Sequence, residues 1–332
     1  MIIWYDSNSQ SKLTVLFFIE ERKMNKLLKA TLVASSVALS SMTVAQDVIG
    51  YITKSATNSG WQMINQGAKD KASEMGVKLV TVGPSFQGDL SSQLEVFENL
   101  VNQKVNAIAL APVDSAGIAP AVNDAMKAGI PIVAVDTGVS GAEVTSFVAT
   151  DNLAVAKVQG AVAATLVDNG DTVIYVTGNQ AQSTGQERRD GFMAAFKAAR
   201  PDSKILIAPT KWNSDEAQSG VEALLNANRG VKMIVNAWDG GTMGAMAALK
   251  NLGYRKGQVK LVGFDGAGDA IEAMDDGWVH ADTAQMLYQM GYQGVEAAVN
   301  AARGKKVNPR IDTGFFLVTP STSKVYKAMV GM

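Results

Sequence analysis

The chain has 332 residues, 30 basic against 31 acidic side chains, a net charge of −1, a single histidine and no cysteine. Thiol nucleophiles, disulfides, Cys-ligated zinc and iron–sulfur clusters are therefore excluded, and nucleic-acid binding lacks its usual basic driving force. His280 alone cannot make a His-rich metal site, and it leaves one candidate for a triad or a general base. A composition that is 47% hydrophobic and 18% charged is that of a globular chain, and the length predicts about two domains.

In chain order, residues 24–46 (MNKLLKATLVASSVALSSMTVAQ) come first as a signal. Lys26 and Lys29 precede an apolar run from Leu27 to Leu39 that is too short to span a bilayer, and Thr43-Val44-Ala45 forms a small-x-small cleavage site. We expect a cleavable secretory signal peptide over 24–45, with an amphipathic first helix as the alternative. No cysteine follows, so no lipid anchor is expected. Residues 1–23 carry Glu20-Glu21 where a signal should be positive, so the true start is expected at Met24.

From Asp47 onward, short β-branched runs alternate with amphipathic stretches. Strands are expected at 48–53, 77–83, 107–112, 131–136, 172–178, 204–210, 233–239 and 260–265. Helices are expected at 60–75, 91–103, 116–128, 152–168, 187–199, 215–227 and 242–252. Near-continuous apolar strands imply a parallel sheet covered on both faces. That many units exceed one doubly wound domain, with a closed eightfold barrel as the competing architecture. The extra extended run at 144–151, with no helix before it, favours a chain crossing between two sheets.

In open parallel sheets, ligands sit beyond the carboxyl ends of the strands. The residues placed there are Lys54, Asn58 and Trp61, then Asp114, Asp136, 182–186, Trp212, Trp238-Asp239, Asp265 and Gln285. Three of the four tryptophans beyond residue 46 fall in this set. Indole faces beside Asp, Asn and Gln suit a carbohydrate, whose C–H face stacks while its hydroxyls pair with planar polar groups. Helix capping is the competing role for Asp265, core packing for Trp61 and Trp212, and a solvated strand-end charge for Lys54. No P-loop, G-x-S-x-G or G-x-G-x-x-G pattern is present, so no cofactor is expected.

Eight segments in order carry a family resemblance: 49–68, 107–122, 129–138, 148–160, 186–196, 238–249, 261–277 and 283–297. Among them are IGYITKSATNSGWQMINQGA, GIPIVAVDTG and LVGFDGAGDAIEAMDDG. With them the chain resembles the type I periplasmic sugar-binding proteins, the ribose-binding family of ABC-transporter receptors. The resemblance implies an α/β fold of two similar doubly wound parallel-sheet lobes joined by a three-segment hinge. The N-terminal lobe would span 47–150 plus 286–314, and the C-terminal lobe 151–285 plus 315–332. It implies a monomeric periplasmic receptor for a neutral monosaccharide, deoxy sugar or polyol, with an inner-membrane permease as partner and no nucleic acid. A sensor-only receptor for a chemoreceptor or histidine kinase, and an exported sugar-processing enzyme, stay open beside it.

By position, the resemblance assigns sugar binding to Asn58, Trp61, Asp136, Trp212, Asp265 and Gln285. It also marks departures. Family arginines fall at Thr137 and Gln186, a ligand-binding Asn at Trp238, and a small Ser at Lys54. These four positions complete the expected site, and the loss of two guanidinium groups argues against ribose itself. Of Arg188 and Arg189, at least one is expected to be a surface charge, and Trp278 and His280 are expected outside the site.

Overall fold

The computed structural model describes residues 46–55, 58–84 and 89–332, so the expected signal peptide and start lie outside the described residues. Two six-stranded sheets share one plan. The first holds β1 (Val48–Ile52), β2 (Lys78–Val82), β3 (Ala107–Leu110), β4 (Ile132–Val135), β5 (Ser146–Ala149) and β11 (Arg310–Asp312), in the order β2-β1-β3-β4-β5-β11. The second holds β6 (Thr172–Val176), β7 (Lys204–Ala208), β8 (Val231–Asn236), β9 (Lys260–Asp265), β10 (Val279–Gln285) and β12 (Phe315–Val318), in the order β7-β6-β8-β9-β10-β12. All pairings are parallel except β10 with β12. Two separate open sheets exclude the barrel.

Helices fill the connections: α1 (Ser59–Glu74), α2 (Leu90–Asn102), α3 (Ala119–Lys127), α4 (Asn152–Thr165), α5 (Ser183–Ala199), α6 (Ser214–Ala227), α7 (Asp239–Asn251), α8 (Gly268–Asp275), α9 (Leu287–Ala302) and α10 (Ser323–Val330). Central strands β3 and β4 are buried at every residue, which is why they read as unbroken apolar runs. Side-chain caps start several helices: Asn58 accepts from the Trp61 N–H, Asp151 from Ala154, and Asn213 from Asp215 and Glu216.

The chain passes between the sheets three times: from β5 into α4, from β10 into α9, and from β11 into β12. Accordingly α9, far along the chain, packs on α1 and the first sheet. That packing depends on glycine. A Cβ at Gly67 would lie 2.0 Å from the Tyr288 carbonyl oxygen, and one at Gly291 would lie 1.8 Å from that of Ile64. The helices therefore touch backbone to backbone where no side chain fits.

The expected strands end at Asp265, and the structure adds three more. His280, Asp282, Thr283 and Gln285 interrupt the apolar run of β10, so the sequence marks this strand only through the placement of Gln285 at a strand end; all of these but His280 are buried. Helix α5 starts at Ser183, four residues before the expected 187, and so brings its first turn into the site.

Candidate functional site

In both sheets the strand order reverses beside the first strand of the lobe, between β1 and β3 and between β6 and β8. Loops leaving neighbouring strands part at such a point and open a crevice. The two crevices face each other, and the cleft between them is lined by side chains of both lobes, among them Lys54, Trp61, Asp136, Arg188, Trp212 and Asp265.

The first-lobe wall is built around Lys54. Its ammonium donates to Asp136 Oδ2 at 2.8 Å, Thr137 Oγ1 at 2.5 Å and Gln182 Oε1 at 2.8 Å, so all three protons are used. It also lies 5.6 Å from the centre of the Trp61 ring. Burial pulls the amine below its usual range and the Asp136 charge opposes this; with three close acceptors the group stays charged. For Asp136, burial acts to raise the carboxyl, but the Lys54 and Arg188 charges outweigh it and hold the group below the usual range.

The second-lobe wall repeats the motif. Arg188 donates from Nε to Asn152 Oδ1 at 2.8 Å, and from Nη1 to the Ala237 carbonyl at 2.7 Å and to Asp265 Oδ1 at 3.0 Å. Its guanidinium carbon stands 5.6 Å from the Trp212 ring centre and 4.0 Å from that of Phe264. Gln285 also donates to Asp265 Oδ1, at 2.7 Å. Burial raises the Asp265 carboxyl above its usual range, opposed by Arg188. Trp212 and Trp238 meet edge to face, with centroids 5.3 Å apart and planes at 86°.

Each wall thus pairs one cation with one carboxylate beside an indole, and the four charges cancel. Acceptors remain open. Asp136 uses only Oδ2 and Asp265 only Oδ1 in these bonds, and buried Gln285 Oε1 has no partner among the described residues. The backbone is strained at the same place. Asp136, Asp265 and Trp212 have φ of 65°, 122° and 63°, and Lys104 is the one other described non-glycine residue with positive φ. Side chains held in that region cluster at sites where position matters more than backbone comfort.

Eight of the ten residues expected from the sequence line this cleft: Lys54, Asn58, Trp61, Asp136, Trp212, Trp238, Asp265 and Gln285. Thr137 does not line it; its hydroxyl, fully buried, accepts from Lys54 and donates to Asp136 Oδ2 at 2.7 Å. Gln186 is exposed and turns away, donating to the Gln180 carbonyl at 2.8 Å. The guanidinium expected to be missing with Gln186 is supplied two residues later by Arg188, so the site is not without arginine. Successive helical residues are about 100° apart, so residues two apart face opposite sides. The buried stripe of α5 runs Thr184, Arg188, Gly191, Phe192, Phe196, and that 3–4 spacing was the available signal. Gln182 and Thr184, within the 182–186 stretch expected beyond a strand end, also line the cleft, and the earlier start of α5 puts Thr184 in its first turn. His280 accepts from the Leu261 N–H and lies outside the cleft, as does Trp278.

Asp239 and Asp282, both buried, converge over Gly263: a Cβ there would lie 2.2 Å from Asp282 Oδ2 and 2.7 Å from Asp239 Oδ1. Asp239 accepts from the Ala267 N–H at 2.7 Å, whereas neither oxygen of Asp282 has a partner among the described residues. Burial pushes Asp282 up to about 7, and burial together with the neighbouring Asp282 pushes Asp239 well above the carboxylate range. A raised native pKa means that the native state keeps protons that the unfolded chain releases. The stabilisation is whole below the unfolded value of about 4 and is lost as pH rises through about 7. Melting curves should therefore fall from about pH 4 to 7, and Asp282→Asn should flatten that fall. An unchanged slope in the variant would remove the pair as its cause.

The fold and the facing crevices define a two-lobed ligand-binding protein; no group of three or more His, Asp or Glu placed to hold a metal occurs among the described residues. The chain belongs to the periplasmic binding protein domain family, whose profile matches residues 49–306. It is similar to the D-allose-binding periplasmic protein of Escherichia coli (strain K12), 32% identical over 297 residues that cover 86% of this chain and 94% of that protein. It is also similar to the ribose import binding protein RbsB of the same strain, 30% identical over 298 residues, 89% and 99% of the two chains. Among solved structures, an ABC transporter solute-binding protein from Agrobacterium vitis with bound D-fucose matches with a TM-score of 0.79 at 29% identity, covering 85% of this chain and 99% of that one.

Proposed function

We propose that this chain is a periplasmic solute receptor that encloses one neutral monosaccharide, deoxy sugar or polyol between its lobes and hands it unchanged to an ABC-transporter permease in the inner membrane. One observation carries the reading: the cleft's charges cancel in two internal ion pairs while open carboxylate and amide oxygens remain between indoles. A ligand rich in hydroxyl donors, with apolar C–H faces and no charge, complements such a surface. An anionic sugar would meet those oxygens with like charge and would find Lys54 already fully bonded. The ligands of the similar proteins, allose, ribose and fucose, are of this chemical class.

The ligand-binding roles fall to Asn58, Trp61, Asp136, Arg188, Trp212, Trp238, Asp265 and Gln285, with Lys54 and Thr137 fixing Asp136. The protein acts as a monomer and releases its ligand without chemistry. Asp136 and Asp265 are each held by a cation of their own wall, which suits hydrogen-bond acceptance rather than acid catalysis. Micromolar affinity needs about −8 kcal/mol, and charge-assisted hydrogen bonds at about 1.5–3 kcal/mol each with stacked indoles reach it after the ordering costs.

A thermal-shift panel of neutral pentoses, hexoses, 6-deoxyhexoses and polyols tests the reading. At least one compound should raise the melting temperature with a concentration dependence set by its affinity. A panel in which only sugar acids or phosphates shift the transition would overturn the neutral-ligand assignment. Gly178→Ala probes the stacking wall separately. The added Cβ would fall 1.9 Å from Trp212 Cη2, so the indole must leave its place. Losing roughly 1 kcal/mol of stacking should weaken the stabilising sugar about fivefold in a fluorescence titration, while the unliganded melting temperature stays within a few degrees.

A further inference from the structure

Gln182 lies in the second lobe, immediately before α5, and is fully buried. Its Oε1 accepts from Lys54 Nζ of the first lobe at 2.8 Å and from Trp212 Nε1 of its own lobe at 2.8 Å. Its Nε2 donates to the Val113 carbonyl of the first lobe at 2.9 Å. Both ends of one amide are thus committed to protein partners across the cleft.

The neighbouring residues add to the same seam. The Ser115 N–H donates to the Ala181 carbonyl at 3.0 Å, the Ser183 N–H to Ser115 Oγ at 3.0 Å, and the Gly138 N–H to Ser183 Oγ at 3.0 Å. Lys54 after β1 and the loops after β3 and β4 of the first lobe therefore grip residues 181–183, the entry to α5, with five hydrogen bonds. The seam is buried at Lys54 and Gln182, where an unmade hydrogen bond is costly.

We propose that Lys54 and Gln182 form a ligand-independent latch that keeps a measurable share of the sugar-free protein with its lobes together. The ligand then does not create the closed state; it enlarges a population that the latch already supports. Lys54 in this account is a positioning residue: it sets how much of the binding energy is spent on bringing the lobes together, and it meets the ligand only through Asp136. Apparent affinity scales with the fraction of protein in the competent state, so the latch raises affinity for every ligand of the site alike.

The absence of cysteine makes the test direct, because two introduced cysteines are the only labelling sites. Gln62→Cys on α1 and Glu272→Cys on α8 place spin labels on exposed rim positions of opposite lobes. Distances are then measured by pulsed electron resonance without sugar, in the otherwise unaltered protein and with Gln182→Leu or Lys54→Met added. The unaltered protein should show a resolved short-distance population, and each substitution should deplete it about tenfold or more. A Ser183→Ala protein, which loses only the Gly138 contact among side-chain bonds, should show a smaller depletion and guards against loss of folding in the other two. The proposal fails if the sugar-free protein shows no short-distance population, or if all three substitutions leave that population unchanged. Neither result depends on which sugar binds, so the latch and the proposed ligand class fail separately.

Discussion

Arg188→Ala should lower the melting temperature of the sugar-free protein by roughly 6–20 °C and abolish sugar binding. All the partners of Arg188 belong to the second lobe: Asn152, the Ala237 carbonyl and Asp265. Parting the lobes does not free Asp265 or Asn152 from their need for a donor. Breaking a buried ion pair by removing one member costs about 3–5 kcal/mol, and in a chain of this size 1 kcal/mol moves the transition by roughly 2–4 °C. Scanning calorimetry of the unliganded variant reads the effect. A transition within about 2 °C of the unaltered protein would mean that water reaches Asp265 freely and that the pair is a surface feature.

Asp136→Ala should give the opposite division of effects: a loss of at least about three-hundredfold in sugar affinity and a shift of only a few degrees in the unliganded transition. The lost charge-assisted bond to a sugar hydroxyl costs about 1.5–3 kcal/mol. Lys54 is then left without its counter-ion in the closed cleft, a further cost of about 2–5 kcal/mol. Together these come to about 3.5–8 kcal/mol, and each 1.4 kcal/mol is tenfold. Lys54 sits on the seam between the lobes, so in an open form water can solvate it, and the free protein escapes most of the penalty. Calorimetric titration beside a melting curve separates the two terms. Normal binding by the variant would remove Asp136 from the site.

The two substitutions look alike in a sequence, each deleting a charge near a strand end or helix start. Both pairs lie within one lobe, but Lys54 is also bonded across the seam to Gln182 whereas every partner of Arg188 is in its own lobe, and only three-dimensional placement shows that. Much else was legible. The apolar runs of β1, β3, β4, β6, β8 and β9 announced parallel strands buried on both faces, and the rule that ligands sit beyond their carboxyl ends led to Asp136 and Asp265. The odd extended run before α4 did become β5 and a crossing to the other sheet. What stayed hidden followed from polarity in buried places. β10 carries Asp282, Thr283 and Gln285 inside the protein, so no unbroken apolar run marks it and only the strand-end placement of Gln285 points to it. Only counting helix phase from Thr184 tells Gln186 and Arg188 apart, and the helix expected at 187–199 omits the first turn of α5. Lys54 is legible as a cleft residue, but nothing local says that Gln182, 128 residues away, supplies its third acceptor.

The strained backbone at Asp136, Trp212 and Asp265 ties the fold to this use. Each adopts a positive φ that glycine would hold more easily. Their side chains are needed at the cleft, and the tightly packed strand ends around them hold the conformation. Such strain is expected where a fold spends stability on presenting a surface.

The most direct test is a calorimetric titration of the unliganded protein with the best neutral sugar from the thermal panel and, in parallel, with that sugar's uronic acid or phosphate ester. One neutral molecule should bind per chain at micromolar affinity or tighter, with the anionic counterpart at least about a hundredfold weaker. Equal or tighter binding of the anion, or heat from neither, would contradict a cleft whose charges are already paired and whose open groups await hydroxyls.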